Sequence, residues 1–507
     1  MRHSLIPLSA LMLLGSFVNS NAADTPAEKL KTAGTRPNIL FLFADDQRAD
    51  ALGASGNTYI RTPNIDHLAK TGVRFTSAYV MGGHHGAICA PSRAMLMSGK
   101  SLFHVYDKLE GVHTMPMDFA ENGYETFGTG KWHNKAPMFE ASFQKGKNVF
   151  IGGMSNHYKV PCRDLGEDRK LSKPVIKGYS TDLFAGAAID YINEYSTGKR
   201  DKPFFCYVAF TAPHDPRSPR EDYIGMYPPE SIPVPGNFKK LHPFQFDQLD
   251  IRDENLAPWP RTPEIIQESL ADYYALITHM DSRIGDIIET LKKDGLFDNT
   301  IIIYAADNGL AIGSHGLLGK QDVYEHSTNV PLIITGPGIP KDKVTNALVY
   351  LYDLYPTLSN LCHLQAPKGI DGKDLTQVIK GDSSGVRNAL YTAYRNTARA
   401  VRTKEWKIIY YPQRNYTQLF NLKMDPLELN NLAMIPEYQS RKEEMMAQLR
   451  AFHTATDDTA SLNPKTILPL EYDYTKLKQH PDEGQPEYIL KKYFKGADLS
   501  KVDPIDH

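Results

Sequence analysis

The run Asn38-Ile39-Leu40-Phe41-Leu42-Phe43-Ala44 ends abruptly in Asp45-Asp46. It lacks polar alternation and is about strand length, so it reads as a strand covered on both faces. Two later runs have the same build. Phe204-Phe205-Cys206-Tyr207-Val208-Ala209-Phe210 leads into Thr211-Ala212-Pro213-His214, and Thr300-Ile301-Ile302-Ile303-Tyr304-Ala305-Ala306 leads into Asp307-Asn308-Gly309. Helix-like stretches occur at 62–69, 182–195 and 263–293. Strands alternating with helices predict an α/β fold, a large and mainly parallel sheet sandwiched by helices. Ligands of such sheets bind beyond the carboxyl ends of the strands. Asp45, Asp46, His214, Asp307 and Asn308 therefore converge by topology.

Two acidic or amide pairs at strand ends suit a hard divalent cation, Ca²⁺ or Mg²⁺. Zinc would call for more His or Cys. A third segment, Cys89-Ala90-Pro91-Ser92-Arg93 continuing to Ser98-Gly99-Lys100, reads as a helix with Pro early and Gly at its end. Cys89 would then sit at the positive end, where backbone N–H groups favour an anion.

The chain has 507 residues, enough for a large α/β domain and a smaller one. A formal charge of −2 argues against nucleic acid as the main partner, since phosphate binding needs a basic face. A basic start, an apolar run over 5–18 and Ser20-Asn21-Ala22 predict a signal peptide over 1–22. That run is short for a membrane span and no second one follows, so an exported protein, periplasmic or secreted, without an integral membrane segment is expected. Four cysteines, Cys89, Cys162, Cys206 and Cys362, are too few for a disulfide scaffold.

The catalytic domain is placed at 36–384. A smaller C-terminal α+β part and tail follow at 385–507, with antiparallel strands at 389–394, 398–403 and 406–411 and helical periodicity over 437–452. The tail after 456 has little periodicity. A proline-rich insertion over 213–263 carries Tyr223, Tyr227, Phe238, Phe244, Phe246 and Trp259. These rings could stack on sugars, but most are expected to pin the loop.

Read together, these segments resemble the type I, formylglycine-dependent sulfatases of the alkaline-phosphatase-like superfamily, and bacterial polysaccharide sulfatases among them. The likeness runs in motif order from about 36 to 432. It includes Pro37–Asp46, Cys89–Arg93, Gly-Tyr-Glu-Thr-Phe-Gly-Thr-Gly-Lys-Trp-His at 123–133, Ala-Pro-His at 212–214, Ala-Asp-Asn-Gly at 306–309 and Gly-Lys at 319–320. Trp406-Lys407, Leu419–Leu422 and Asp425-Pro426 resemble the family's small C-terminal domain.

The resemblance implies a nucleophile made by oxidising Cys89 to formylglycine, with a formylglycine-generating enzyme as partner. One hydroxyl of the hydrated aldehyde would attack sulfur, and the other would then expel sulfate. It implies Ca²⁺ on Asp45, Asp46, Cys89, Asp307 and Asn308. Arg93 would hold the hydrate, and Lys131, His133, His214 and Lys320 would surround the sulfate. His214, alone or shared with Lys320, would protonate the leaving alcohol. The implied substrate is a sulfated polysaccharide or oligosaccharide, a marine galactan such as carrageenan among the candidates. The alternatives are a phosphonate monoester or phosphodiester hydrolase of the same superfamily, in which Asp-His tends to replace Asp307-Asn308, and a non-catalytic glycan-binding relative. Asn134-Lys135 departs from the family's usual Leu-Gly after the histidine. His84, His85, His104, His157, Arg217 and Arg220 lie in segments that could face the cleft.

Overall fold

The computed structural model describes residues 36–198, 201–477 and 487–494. The signal peptide expected at 1–22 lies outside the described residues. The three apolar runs form the strands Asn38–Ala44, Phe204–Ala209 and Thr300–Ala306. Every residue of all three is buried, which explains why none alternates.

These strands are central in a nine-stranded sheet. Its order is Lys343–Thr345, Gly72–Tyr79, Asn329–Thr335, Thr300–Ala306, Asn38–Ala44, Phe204–Ala209, Glu125–Lys131 and Lys145–Phe150, with Val349–Tyr350 also paired to Gly72–Tyr79. Pairing is parallel except on both sides of Asn329–Thr335. The expected mainly parallel sheet is therefore present. The helices fall where the periodicity puts them, at Pro63–Thr71, Ser180–Thr197 and Pro263–Lys293. Thr262 caps the last of these, accepting from the Ile265 N–H, and Pro263 occupies its first turn.

A second, smaller sheet runs Tyr416–Asn421, Trp406–Tyr411, Ala398–Thr403, Ala389–Tyr394 and Gly82–Gly83. The Gln439–Ala455 helix packs on it. Sequence reading finds three of these strands. Gly82–Gly83 has no side chains to form a pattern, yet Ala393 N donates to Met81 O and Arg395 N to Gly83 O. The small sheet is thus tied to the segment that leads into Cys89. The described part of the tail is packed and ends in a short helix, Glu487–Tyr493: Asp458 pairs with buried Arg399, and Leu470, Tyr472 and Leu477 join the cluster that holds Phe244 and Phe246.

The aromatic insertion turns inward. Tyr227, Phe244, Phe246 and Trp259 are buried, and Tyr223 and Phe238 are partly buried against the same core. Most of these rings therefore pin the loop, as expected, and do not stand free to stack on sugars. Burial of apolar area, the dominant gain in packing a long loop, accounts for them.

Candidate active site

Register brings the polar residues together. Ala44 lies opposite Ala306, Phe43 opposite Ala209, and Gly130 opposite Ala209. Asp45-Asp46, Asp307-Asn308, Thr211–His214 and Lys131–His133 therefore leave the sheet at one edge. Gly130 makes this possible for Lys131: its φ is 86° and a Cβ there would sit 1.8 Å from Ala209 O. Cys89 begins the helix Cys89–Ser98, all of whose residues are buried. Gly99 closes that helix in the left-handed conformation, as the sequence predicts.

Cys89 Sγ lies 3.0 Å from Lys320 Nζ and 3.6 Å from Asp46 Oδ1. Lys320 Nζ also donates to both Asp46 oxygens, at 2.6 and 2.8 Å. Lys131 Nζ donates to Asp45 Oδ2 at 2.6 Å. Arg93 clamps Asp307 Oδ2 through Nε (2.9 Å) and Nη2 (2.8 Å), and its Nη1 donates to Lys131 O at 2.7 Å. The guanidinium also lies 5.0 Å from the Phe43 ring centroid. Asn308 Nδ2 donates to Asp46 Oδ1 (2.9 Å) and Asp307 Oδ1 (2.7 Å). His214 Nε2 is 3.5 Å from Asp46 Oδ2. All ten residues singled out from sequence thus meet at one edge of the sheet, except that His133 is joined to the rest by position and no direct bond.

His133 has a left-handed backbone, with φ of 62°. Its ring faces Gly153, where a Cβ would come within 2.4 Å of Nε2. Its Nδ1 is buried and unpartnered. The departure at 134–135 has a clear structural use. Asn134 Nδ2 donates to Ala90 O at 3.2 Å and also to Asp107 O, which ties the histidine loop to the start of the Cys89 helix.

The electrostatics are those of a dry, charge-balanced site. Three buried carboxylates, Asp45, Asp46 and Asp307, face three buried cations, Arg93, Lys131 and Lys320. Burial, then Asp307, pushes Asp45 up to about 6 against the pull of Lys131 and Arg93. Burial alone would lower the Lys320 ammonium, but Asp46 and then Cys89 hold it well above its usual range. Burial pushes the Cys89 thiol well up, with Asp307 adding to it, so unmodified Cys89 is a neutral thiol and a poor nucleophile. His133 is driven well down by burial and then Lys131, and His214 by burial and then Lys320. Both are neutral in the site as it stands.

A cation fits the donors present. Asp45, Asp46, Cys89 and His214 each offer a ligand atom, all within 4.8 Å of one another. Asp45 Oδ1 and Asn308 Oδ1 are buried without a hydrogen-bond partner, Asp45 Oδ1 having only the Arg93 guanidinium at 3.7 Å, which is costly unless something binds them. Carboxylate and amide oxygens are the donors of Ca²⁺ and Mg²⁺.

Several supporting residues carry no signal in sequence. Glu254 is 3% exposed and accepts from Leu318 N (3.0 Å), Gly319 N (2.8 Å) and Arg261 Nη2 (2.7 Å), so it holds the loop that presents Lys320. Its spacing from Lys320 is long and its type is common, which hides it. Glu254→Ala leaves Arg261 buried and unpaired. We expect a loss of about 3–5 kcal/mol in urea unfolding, together with a fall in kcat that Glu254→Gln partly restores. Equal stability of the Ala variant would refute this role.

The remaining cleft candidates divide. His157 is buried and bonds Ser180, Thr211 and His214 O, so it braces His214 and does not face the cleft. His84 bonds Leu102 O, His104 bridges Asp371 and Asp457, and Arg220 pairs with Asp182 and Asp222. His85 pairs with Asp107 in a cavity of about 280 Å³ beside His133, with Lys108 and Lys135 on its wall.

A carboxylate-and-cation centre at the carboxyl edge of an α/β sheet suits the hydrolysis of an ester of an anionic acid. The chain belongs to the sulfatase family, whose model, described as Sulfatase, matches residues 37–364. A second model, for the C-terminal region of N-sulphoglucosamine sulphohydrolase, matches 313–455. The chain is 30% identical to an arylsulfatase of Clostridium perfringens over 80% of its length and 92% of the relative's. It is 26% identical to an N-acetylglucosamine-6-O-sulfatase of Bacteroides thetaiotaomicron, over 92% and 93% respectively. A solved structure of a protein in complex with its substrate D-glucosamine-2-N,6-O-disulfate shares the fold, with a TM-score of 0.72 and 22% identity, over 85% of this chain and all of that one. The enzyme is a sulfuric ester hydrolase. Among the described residues, no helix is long and apolar enough to cross a membrane.

Proposed function

We propose that this sulfatase releases sulfate from a sulfated polysaccharide or oligosaccharide, with Cys89 matured to formylglycine. The observation that carries the reading is Cys89 itself. It starts a buried helix, touches Lys320 and Asp46, and as a thiol is too high in pKa to act. Oxidation by a maturation enzyme would replace that inert thiol with an aldehyde, and hydration would supply two hydroxyls. One attacks sulfur while the S–O bond to the sugar breaks and the sugar oxygen takes a proton. The second hydroxyl then loses its proton, the aldehyde re-forms and hydrogensulfate departs.

The residues divide the remaining work. His214, with Nε2 3.5 Å from Asp46 Oδ2, and Lys320, with Nζ 3.0 Å from Cys89 Sγ, are assigned together as the acid for the leaving oxygen. Arg93 and Lys131 orient position 89 and the carboxylates. His133 faces the cavity that receives the rest of the substrate. A Ca²⁺ or Mg²⁺ ion held by Asp45, Asp46, Asp307, Asn308 and residue 89 would supply electrostatic stabilisation of the sulfate oxygens.

The relatives named for glucosamine derivatives support a sugar as substrate. The basic start, the apolar run over 5–18 and Ser20-Asn21-Ala22 support export after cleavage of 1–22, and 36–384 with 385–507 is the proposed domain division. The deciding experiment co-produces the chain with a formylglycine-generating enzyme and measures sulfate released from a panel of sulfated glycans by ion chromatography. Sulfate release from at least one glycan is expected. Turnover of phosphonate monoesters with none of any sulfate ester would overturn the reading.

A further inference from the structure

Arg217 is 3% exposed, yet it makes no hydrogen bond or ion pair among the described residues, and its Nε and Nη2 are buried unpartnered. The other buried arginines are all paired: Arg48 with Asp50, Arg93 with Asp307, Arg261 with Glu254, Arg399 with Asp458 and Arg414 with Asp247. A guanidinium taken out of water without a direct ion-pair partner is disfavoured, so a fold retains one chiefly where something binds it.

Its place is informative. Arg217 follows His214 by three residues. Asp215, between them, is already engaged, with Oδ2 on Arg252 and Oδ1 3.3 Å from His214 Nδ1. Burial works to raise the Asp215 carboxyl, but Arg252 and then Arg217 hold it below the usual range, so the Arg217 charge is felt on the His214 side. Lys108 and Lys135, on the wall of the cavity beside His133, also lack ion pairs among the described residues. Asp107 shares that wall and is engaged by His85, so the approach beside His133 carries two lysines against one acid.

We infer that Arg217 binds a second anionic group of the substrate, a sulfate or carboxylate on the saccharide whose ester is cleaved. The enzyme then selects multiply charged saccharides. The planar guanidinium fork matches the paired oxygens of either group. This inference rests on the sulfatase reading above and adds the charge of the sugar to it.

The test compares the full, matured enzyme with Arg217→Gln on three substrates. These are glucosamine-6-O-sulfate, glucosamine-2-N,6-O-disulfate, and a 6-O-sulfated glucosamine linked to a hexuronate. Wild type should favour at least one doubly charged substrate by about 10-fold or more in kcat/KM, and the favoured arm tells sulfate from carboxylate. Arg217→Gln should bring that ratio close to one. Its melting temperature should stay level or rise, because an unpaired buried charge has been removed. No preference in wild type, an unchanged ratio in the variant, or equal losses on all three with a lower melting temperature would overturn the assignment. If wild type releases sulfate from none of them, the reaction reading fails for these sugars. Arg217 is then judged by thermal shift. The disulfate should stabilise wild type and not Arg217→Gln, and equal shifts would refute it.

Discussion

Cys89→Ser is expected to lower steady-state sulfate release by about 10³-fold or more. Serine is close in size to the buried cysteine, and the helix start and its Lys320 contact tolerate it, so folding should survive. A serine hydroxyl can attack sulfur once. It has no second hydroxyl on the same carbon to expel the sulfate, so the ester on residue 89 persists. A single stoichiometric turnover is expected, followed by arrest, with the added sulfate found by mass spectrometry on the peptide carrying position 89. Cys89→Ala should show neither the turnover nor the adduct. Full turnover by the serine variant would remove the need for formylglycine and sink the mechanism.

The strands that carry the site are legible because they are buried on both faces. Asn38–Ala44, Phe204–Ala209 and Thr300–Ala306 leave no room for a polar residue until they end, so the change from apolar to acidic marks the sheet's edge. The order in which the strands pair is not written in any one of them. It depends on Asn329–Thr335 running antiparallel between two neighbours and on the two-residue strand at Gly82–Gly83. Within the site, the residues that cluster around Cys89 lie in short motifs and can be read from sequence. Residues that hold them cannot. Glu254 acts on Lys320 across 66 positions through backbone N–H groups, which any sequence supplies. Asn134 reads as a departure from a pattern, and only the bond to Ala90 O shows its use. For the aromatic insertion, composition leaves stacking and pinning both open, since it cannot say whether a ring faces solvent or a core, and the packing decides for pinning.

Asp307 is where charge, packing and metal binding can be separated. Its Oδ2 holds Arg93 and its Oδ1 accepts from Asp46 N (3.1 Å) and Asn308 Nδ2, all at full burial. Burial works against the carboxylate, yet Arg93, Lys131 and Lys320 keep it ionised well below the usual range. Asp307→Ala leaves Arg93 with only a 3.7 Å approach to Asp45 among carboxylates, so we expect a loss of about 3–5 kcal/mol in stability. Activity should fall by about 10³-fold or more. Asp307→Asn keeps the shape and an acceptor for Arg93 and should lose much less stability. If the carboxylate charge serves a divalent cation, the Asn variant should still lose most activity. A ligand that binds only the folded state raises its stability with concentration. Wild type should therefore melt higher in excess Ca²⁺ than in EDTA, and Asp307→Asn should show a smaller shift. Asp45, Asp46 and Asp307, when all ionised, match Arg93, Lys131 and Lys320 in formal charge. A bound dication would leave the centre net positive, a charge that an anionic sulfate ester on arrival would partly cancel. Equal melting in EDTA and Ca²⁺, with activity untouched by EDTA, would show instead that Arg93, Lys131 and Lys320 suffice for the chemistry.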